Sequence, residues 1–223
     1  MFELNKDSLP YLYQVADRVS LKNQNYYFNL ICCYLFLLVV AALISYIWPK
    51  EQISIVISLI IFLITIAILV LLKLKKPDDI WYNGRAVAES IKTRSWRWCM
   101  RSTPYESIDD NIAINEFIAD QKNILKHNKS IRDILDTNIP SEPISETMKQ
   151  IRSLDISSRL EIYKEQRIQN QIIWYSLKAK ENKKKANFWF IATILLYTIT
   201  ILLLIYKITN TNISLPIEVI TTA

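Results

Sequence analysis

Glycine is almost missing from this chain. Its 223 residues include one, Gly84, together with one histidine and three cysteines. So little glycine excludes Gly-rich phosphate loops and most sheet-and-turn architectures, whose tight turns need positive φ. The lone histidine, His127, sits in the polar run Lys126-His127-Asn128-Lys129 and is read as solvated, and no His/Cys cluster has metal-ligand spacing. No serine lies in a nucleophile elbow, and the carboxylates are scattered among basic residues as on a solvated, paired surface. Cys32 and Cys33 fall in an apolar run and Cys99 in a polar block, so no disulfide framework is readable. The expectation is a chain that is not an enzyme and carries no cofactor and no metal.

Charge is missing too, in three long stretches. None occurs from Asn23 to Pro49, from Gln52 to Leu72 or from Ala186 to Tyr206. Each reaches the roughly 20 residues a helix needs to cross a hydrocarbon core of about 30 Å. A chain this short cannot wrap three such runs in protein, so they are read as membrane spans. A cleaved signal peptide does not fit. The first run exceeds the roughly 7–15 residues of a signal core, follows a polar segment and ends at Trp48-Pro49 rather than at a small-residue cleavage site. Tyr26, Tyr27, Trp48, Trp189 and Tyr206 stand at the span edges, as interfacial aromatics do. No charged residue lies inside a span, which argues against a proton relay or a charge-selective filter.

Orientation follows from the lysines. Lys73, Lys75 and Lys76 follow the second run, and Lys178, Lys180, Lys183, Lys184 and Lys185 precede the third. The turn Pro49-Lys50-Glu51-Gln52 is balanced, and Ile208-Thr-Asn-Thr-Asn212 is neutral. The positive-inside rule puts the middle block in the cytoplasm, and Arg18 and Lys22 put the N-terminus there with it. After Asn212, Pro216 and Glu218 are helix-entry signals. They open either an amphipathic stub or a fourth span cut off by the end of the chain.

The middle block, residues 73–185, holds the chain's whole net charge of +6. Its first helix is expected to start at Pro77-Asp78-Asp79 and to carry a stripe of Ile80, Gly84, Val87, Ile91 and Trp98. Arg85, Glu89 and Lys92 share a neighbouring face at i, i+4 and i+3 spacing and can pair along the helix. Pro104 ends this helix, and a second is expected from near Glu106 through Phe117 and Leu125 towards Leu135. The prolines of Asn138-Ile-Pro-Ser-Glu-Pro143 impose a break. A third helix resumes near Ser145 and from Leu160 continues into the last span, on the order of 70 Å at about 1.5 Å per residue. It carries two stripes, Leu160-Tyr163-Arg167-Asn170-Trp174-Leu177 and Ile168-Ile172-Tyr175-Ala179-Ala186. Two stripes imply two neighbours, hence a bundle or an oligomer. The basic-aromatic run Arg94-Ser-Trp96-Arg97-Trp98 is read as headgroup contact or core packing rather than as a nucleic-acid site.

The pair of spans followed by Arg85, Ala88, Glu89, Ser90, Lys92, Thr93 and Trp96, an R-x-x-A-E-S-x-K-T-x-x-W core, resembles the SLATT family of two-span effectors associated with bacterial nucleotide-second-messenger (SMODS) and SLOG-sensor defence systems. Tyr163, Arg167, Gln171, Trp174 and Tyr175 resemble the start of a second SLATT module, one span short of complete. The resulting fold class is an all-α membrane protein with three transmembrane helices, or a truncated fourth, and a long cytoplasmic helical bundle. The division is 1–25 as a cytoplasmic N-terminal segment and 26–72 as a two-span hairpin. Then come 73–143 as helices of the first module, 144–185 as the helix of the second, 186–207 as the third span, and 208–223 as an external loop and the start of that fourth span.

The resemblance implies a multi-pass protein of the bacterial inner membrane and a pore-forming or membrane-disrupting antiphage effector acting by abortive infection. It also implies a sensor or nucleotide-signalling partner besides membrane lipid. Three spans cannot enclose an aqueous pore, so conduction requires a homo-oligomer. The pore-lining candidates are small polar residues on single stripes: Ser54, Ser58 and Thr65 on the second span, and Thr193, Tyr197 and Thr200 on the third. The competing reading of these hydroxyls is interhelical glue. The competing function is a non-conducting scaffold whose cytoplasmic helices bind a partner protein. A secondary transporter would want broken helices, which these spans lack.

Overall fold

The computed structural model describes residues 3–48, 51–134 and 143–209. Among them the regular structure is all helix: α1 (Tyr11–Ile47), α2 (Gln52–Lys75), α3 (Pro77–Cys99), α4 (Asp110–His127), α5 (Lys129–Arg132), α6 (Glu146–Ser153), α7 (Ile156–Tyr163), a π-helical segment (Lys164–Gln169) and α8 (Asn170–Thr209). Three helical stretches are long and apolar enough to span a membrane. The chain divides into two compact units. One, the polar unit, takes residues up to Tyr27 and Lys76–Trp174. The other, the apolar unit, takes Phe28–Lys75 and the chain from Tyr175 onward.

In the apolar unit the buried positions of α2 are Ser54, Ser58, Ile61, Thr65 and Ile68. They step alternately by four and three residues, the seam of a helix packed along one neighbour. On α1, Ala41 is buried, and Ser45 Oγ lies 3.2 Å from Ser58 Oγ. Most other large side chains of α2 and α8 are exposed, as lipid-facing residues of a single copy are.

The polar unit is built on α3. Val87, Ala88, Ile91, Trp96, Trp98 and Cys99 are buried there with Leu9, Leu12, Tyr13 and Ala16 from the N-terminal segment, Phe117 from α4, Ile131 from α5, and Met148 and Ile151 from α6. The expected stripe on α3 is therefore the core face, with Ile80 only partly buried at its edge. The N-terminal residues belong to this core too, a role that no local sequence pattern assigns to them. Gly84 is where α3 comes closest to α1: a Cβ there would stand 3.1 Å from Ser20 Cβ and 3.2 Å from the Ala16 carbonyl oxygen. Ser20 Oγ donates to the Trp81 carbonyl at 3.0 Å and closes the same crossing.

Helix ends depart from expectation for local reasons. Pro77 does open α3, but the residue before it, Lys76, takes φ 43° and no side chain caps the helix. The helix closes at Cys99, ahead of Pro104, because Arg101 turns left-handed (φ 50°) and the Ser102 N–H bonds back to the Arg97 carbonyl at 3.1 Å, a Schellman-type closure. The second helix starts at Asp110 rather than Glu106, since Asp109 accepts from the Asn111 N–H at 2.9 Å. It stops at His127, where Asn128 leaves helical geometry (φ −123°, ψ 70°), and the short α5 follows. The third helix resumes where expected, as α6, with Ser145 capping it by accepting from the Met148 N–H at 3.3 Å. The chain breaks again after Ser153 because Asp155 caps α7, accepting from Ser157 and Ser158 N–H at 2.9 and 3.1 Å. From Ile156 to Thr209 it stays helical, the π-helical segment included. The Pro140–Pro143 break lies mostly, and the proposed fourth span wholly, outside the described residues.

Candidate functional site

The motif-bearing face of α3 is organised by charge at one end and by an aromatic pair at the other. Arg85 pairs with Glu89 at 2.8 Å, the i, i+4 contact read from spacing. Its other nitrogen reaches Asp17 of α1 at 3.3 Å, and Lys6 Nζ approaches the same carboxylate at 2.9 Å. The Asp17 side chain is 9% exposed, so two cations converge on one shielded carboxylate. The Lys6 ammonium is raised above its ordinary pKa, first by its hydrogen bond to Asp17. Lys92, one turn further on, is lowered by its own burial; Glu89 opposes that shift and Arg167 adds to it.

Trp96 and Tyr163 meet edge to face, ring centroids 5.6 Å apart. The structure thus brings Arg85, Glu89, Lys92 and Trp96 onto one strip of α3 and joins Tyr163 and Arg167 to its far end. Gln171 is partly buried, and Trp174 and Tyr175 are exposed. The pair also walls a cleft of about 320 Å³ between the end of α3 and α7, lined besides by Arg97, Arg159, Leu160 and Arg167.

The second-span hydroxyls are engaged locally. Ser54 Oγ donates to the Glu51 carbonyl at 2.8 Å, Ser58 meets Ser45, and Thr65 donates to the Phe62 carbonyl at 2.8 Å. All three lie on the buried seam of α2. On α8, Thr193 and Tyr197 are exposed, while Thr200 is buried and donates to Leu196 O at 2.9 Å.

The family described as SMODS and SLOG-associating 2TM effector domain 3 (SLATT_3) matches residues 10–160, about two thirds of the chain. The chain belongs to the SLATT family. A second SLATT description, effector domain 1 (SLATT_1), matches residues 163–223. No curated protein and no solved structure matches. The two SLATT matches meet inside α7, and the Trp96–Tyr163 contact joins one to the other within a single polar unit.

Two features of this SLATT core are not foreseen from the sequence pattern. Arg152 is 1% exposed and forks onto four acceptors: Asp110 Oδ1 (2.8 Å), the Trp98 and Tyr105 carbonyls (2.7 and 3.0 Å) and the Ser107 carbonyl (2.8 Å). Its guanidinium also lies over the Trp98 ring, 4.6 Å from the centroid. Nothing in the local sequence marks it, because its partners lie more than 40 positions away. The cleft arginines do leave a signal: Arg159, Tyr163 and Arg167 recur every four residues on one face. Arg94 and Arg97 part company: Arg94 pairs with Asp120 at 3.0 Å, Arg97 lines the cleft, and Trp96 and Trp98 are core. Among the described residues no His/Cys/Asp/Glu group could hold a metal. The Cys99 thiol is pushed up to about 12 by burial, which removes it as a nucleophile.

Proposed function

We propose that this SLATT protein is an oligomeric effector of a bacterial antiphage system. It permeabilises the inner membrane, brings about abortive infection and catalyses no reaction. The observation that supports this most is the state of the last long helix. Leu160, Trp174 and Leu177 on one stripe, Ile168, Ile172 and Tyr175 on the other, and the span beyond them are exposed in a single copy. Lipid suits the span, but apolar stripes outside it call for protein neighbours. The family description as a two-span effector supplies the class of activity. In this reading the N-terminus and the middle block face the cytoplasm, where a sensor or nucleotide-signalling partner can reach them. With the α2 hydroxyls used within the hairpin and Thr200 buried on the Leu196 carbonyl of its own helix, the water-facing surface of an assembled pore falls to Thr193 and Tyr197.

A non-conducting scaffold is the second reading, favoured by that same engagement of Ser54, Ser58 and Thr65. Dye or ion release from liposomes carrying the purified chain separates the two. Release is expected, and Thr193→Leu combined with Tyr197→Leu should reduce it at least severalfold at equal incorporation. Absence of release under conditions that give oligomers by crosslinking would leave the scaffold.

A further inference from the structure

Several arginines in the polar unit are spoken for. Arg85 has Asp17 and Glu89, Arg94 has Asp120, and Arg152 has Asp110 with three carbonyls. The cleft beside Trp96 and Tyr163 breaks this pattern. Arg97, Arg159 and Arg167 line it. Arg101 acts on Arg159 from beside it. None of the four forms an ion pair among the described residues. Arg159 Nε and Nη1, Arg167 Nη1 and Arg101 Nε are shielded from solvent and have no hydrogen-bond partner among the described residues. Desolvation, with Arg101 and Arg152 nearby, lowers the Arg159 pKa. The one carboxylate acting on Arg159, that of Asp155, is already committed to capping α7 through Ser157 and Ser158. Shielded guanidinium groups without acceptors are costly, and their planar forks match phosphate oxygens two at a time.

Most of the remaining wall is apolar: the Trp96–Tyr163 pair and Met100, with Leu160 and Ile156 exposed beyond it, and with Thr93 and Ser102 as its two hydroxyls. At about 320 Å³ the cleft exceeds a bare phosphate and falls at the small end of ligand sites, roughly 300–1,000 Å³. We propose that this cleft binds a small phosphate-bearing ligand, its phosphate held by Arg159 and Arg167 and its aromatic or apolar body laid against Trp96, Tyr163 and Leu160. The site is independent of whether the assembled spans conduct. The phosphate has two sources, a soluble nucleotide-like molecule or a phospholipid headgroup.

The full chain in nanodiscs separates them, with AMP and pyrophosphate as soluble probes and thermal unfolding as readout. In phosphatidylcholine discs, millimolar AMP should raise the unfolding midpoint by several degrees and more than pyrophosphate does. Arg159→Gln with Arg167→Gln should abolish the shift, while Arg132→Gln, which removes an arginine paired with Asp133 outside the cleft, should keep it. If the headgroup is the ligand, the midpoint rises instead on moving to phosphatidylglycerol discs, and the same double variant removes that rise. Arg159→Gln alone should unfold at a higher temperature than the parent without ligand, because it relieves an unneutralised cluster; a variant that merely breaks packing would unfold lower. The site is refuted if neither AMP nor phosphatidylglycerol shifts the midpoint, or if the double variant responds as the parent does.

Discussion

Arg152 has almost no water to fall back on, so its four bonds hold it or nothing does. Its one ionic partner, Asp110, is 60% exposed and contributes little through charge. The carbonyls of Trp98, Tyr105 and Ser107 dominate, and they tie the link between α3 and α4 to α6. Arg152→Met removes the guanidinium donor from three carbonyls, leaving Trp98 O only the Arg101 N–H at 3.2 Å, and should cost about 3 kcal/mol or more in unfolding free energy. Arg152→Lys keeps the charge but cannot present the fork, and should lose about 2 kcal/mol. Equal stability of the lysine variant in a denaturant titration would show that charge alone suffices. At Asp17 and Glu89 the order is set by shielding. Glu89 is 40% exposed and Arg85 49%, so Glu89→Gln should change stability by about 0.5 kcal/mol or less. Asp17→Asn removes the shielded carboxylate shared by Lys6 and Arg85, leaving Arg85 only its half-exposed pair with Glu89, and should cost clearly more. A double-mutant cycle on Arg85 with each acid, read by unfolding, tests the ranking. The i, i+4 pair was legible because it is local. That Arg85 also docks onto α1 was not, because Asp17 lies 68 positions away.

Among elements, the crossing of α1 and α3 depends on small side chains. Gly84 faces Ala16 and Ser20 at distances that leave no room for a branched substituent. Gly84→Leu should separate the helices and cost about 3 kcal/mol or more, with loss of the Ser20–Trp81 bond. A Gly84→Leu chain that unfolds like the parent would mean that the crossing is slack. Periodicity made this stripe readable in advance, since four- and three-residue steps mark one helical face whatever packs on it. Helix ends were less readable. Each is decided by one capping contact or one left-handed residue, and propensity is similar on both sides of the break. Asp109, Asp155 and Arg101 show this, each shifting or dividing an expected helix.

For the whole molecule, the three spans were legible because a helix surrounded by water seldom goes about 20 residues without a charge, whereas one surrounded by lipid must. The composite make-up of the polar unit was hidden, since no local pattern announces that residues before Tyr27 pack with residues beyond Lys76. That make-up bears on topology. The N-terminal segment and the middle block share one core, so the hairpin between them must leave and return on the same side. With the positive-inside reading, a cysteine placed at Gln52 should react with an impermeant reagent from outside intact cells, and one placed at Asn128 should not. The reverse pattern would invert the orientation, and labelling of both would refute the shared core.

That shared core also imposes a timetable during synthesis. The segment carrying Leu4, Leu9 and Leu12 leaves the ribosome well before the rest of its core, since Met148, Ile151 and Ile162 are made some 140 residues later. At about 5–20 residues per second the segment waits about 7–28 s, while two spans are inserted, before its core is complete. A newborn chain is therefore exposed in this segment to chaperone capture and to proteolysis, and slow codons between the second span and α6 would lengthen that window.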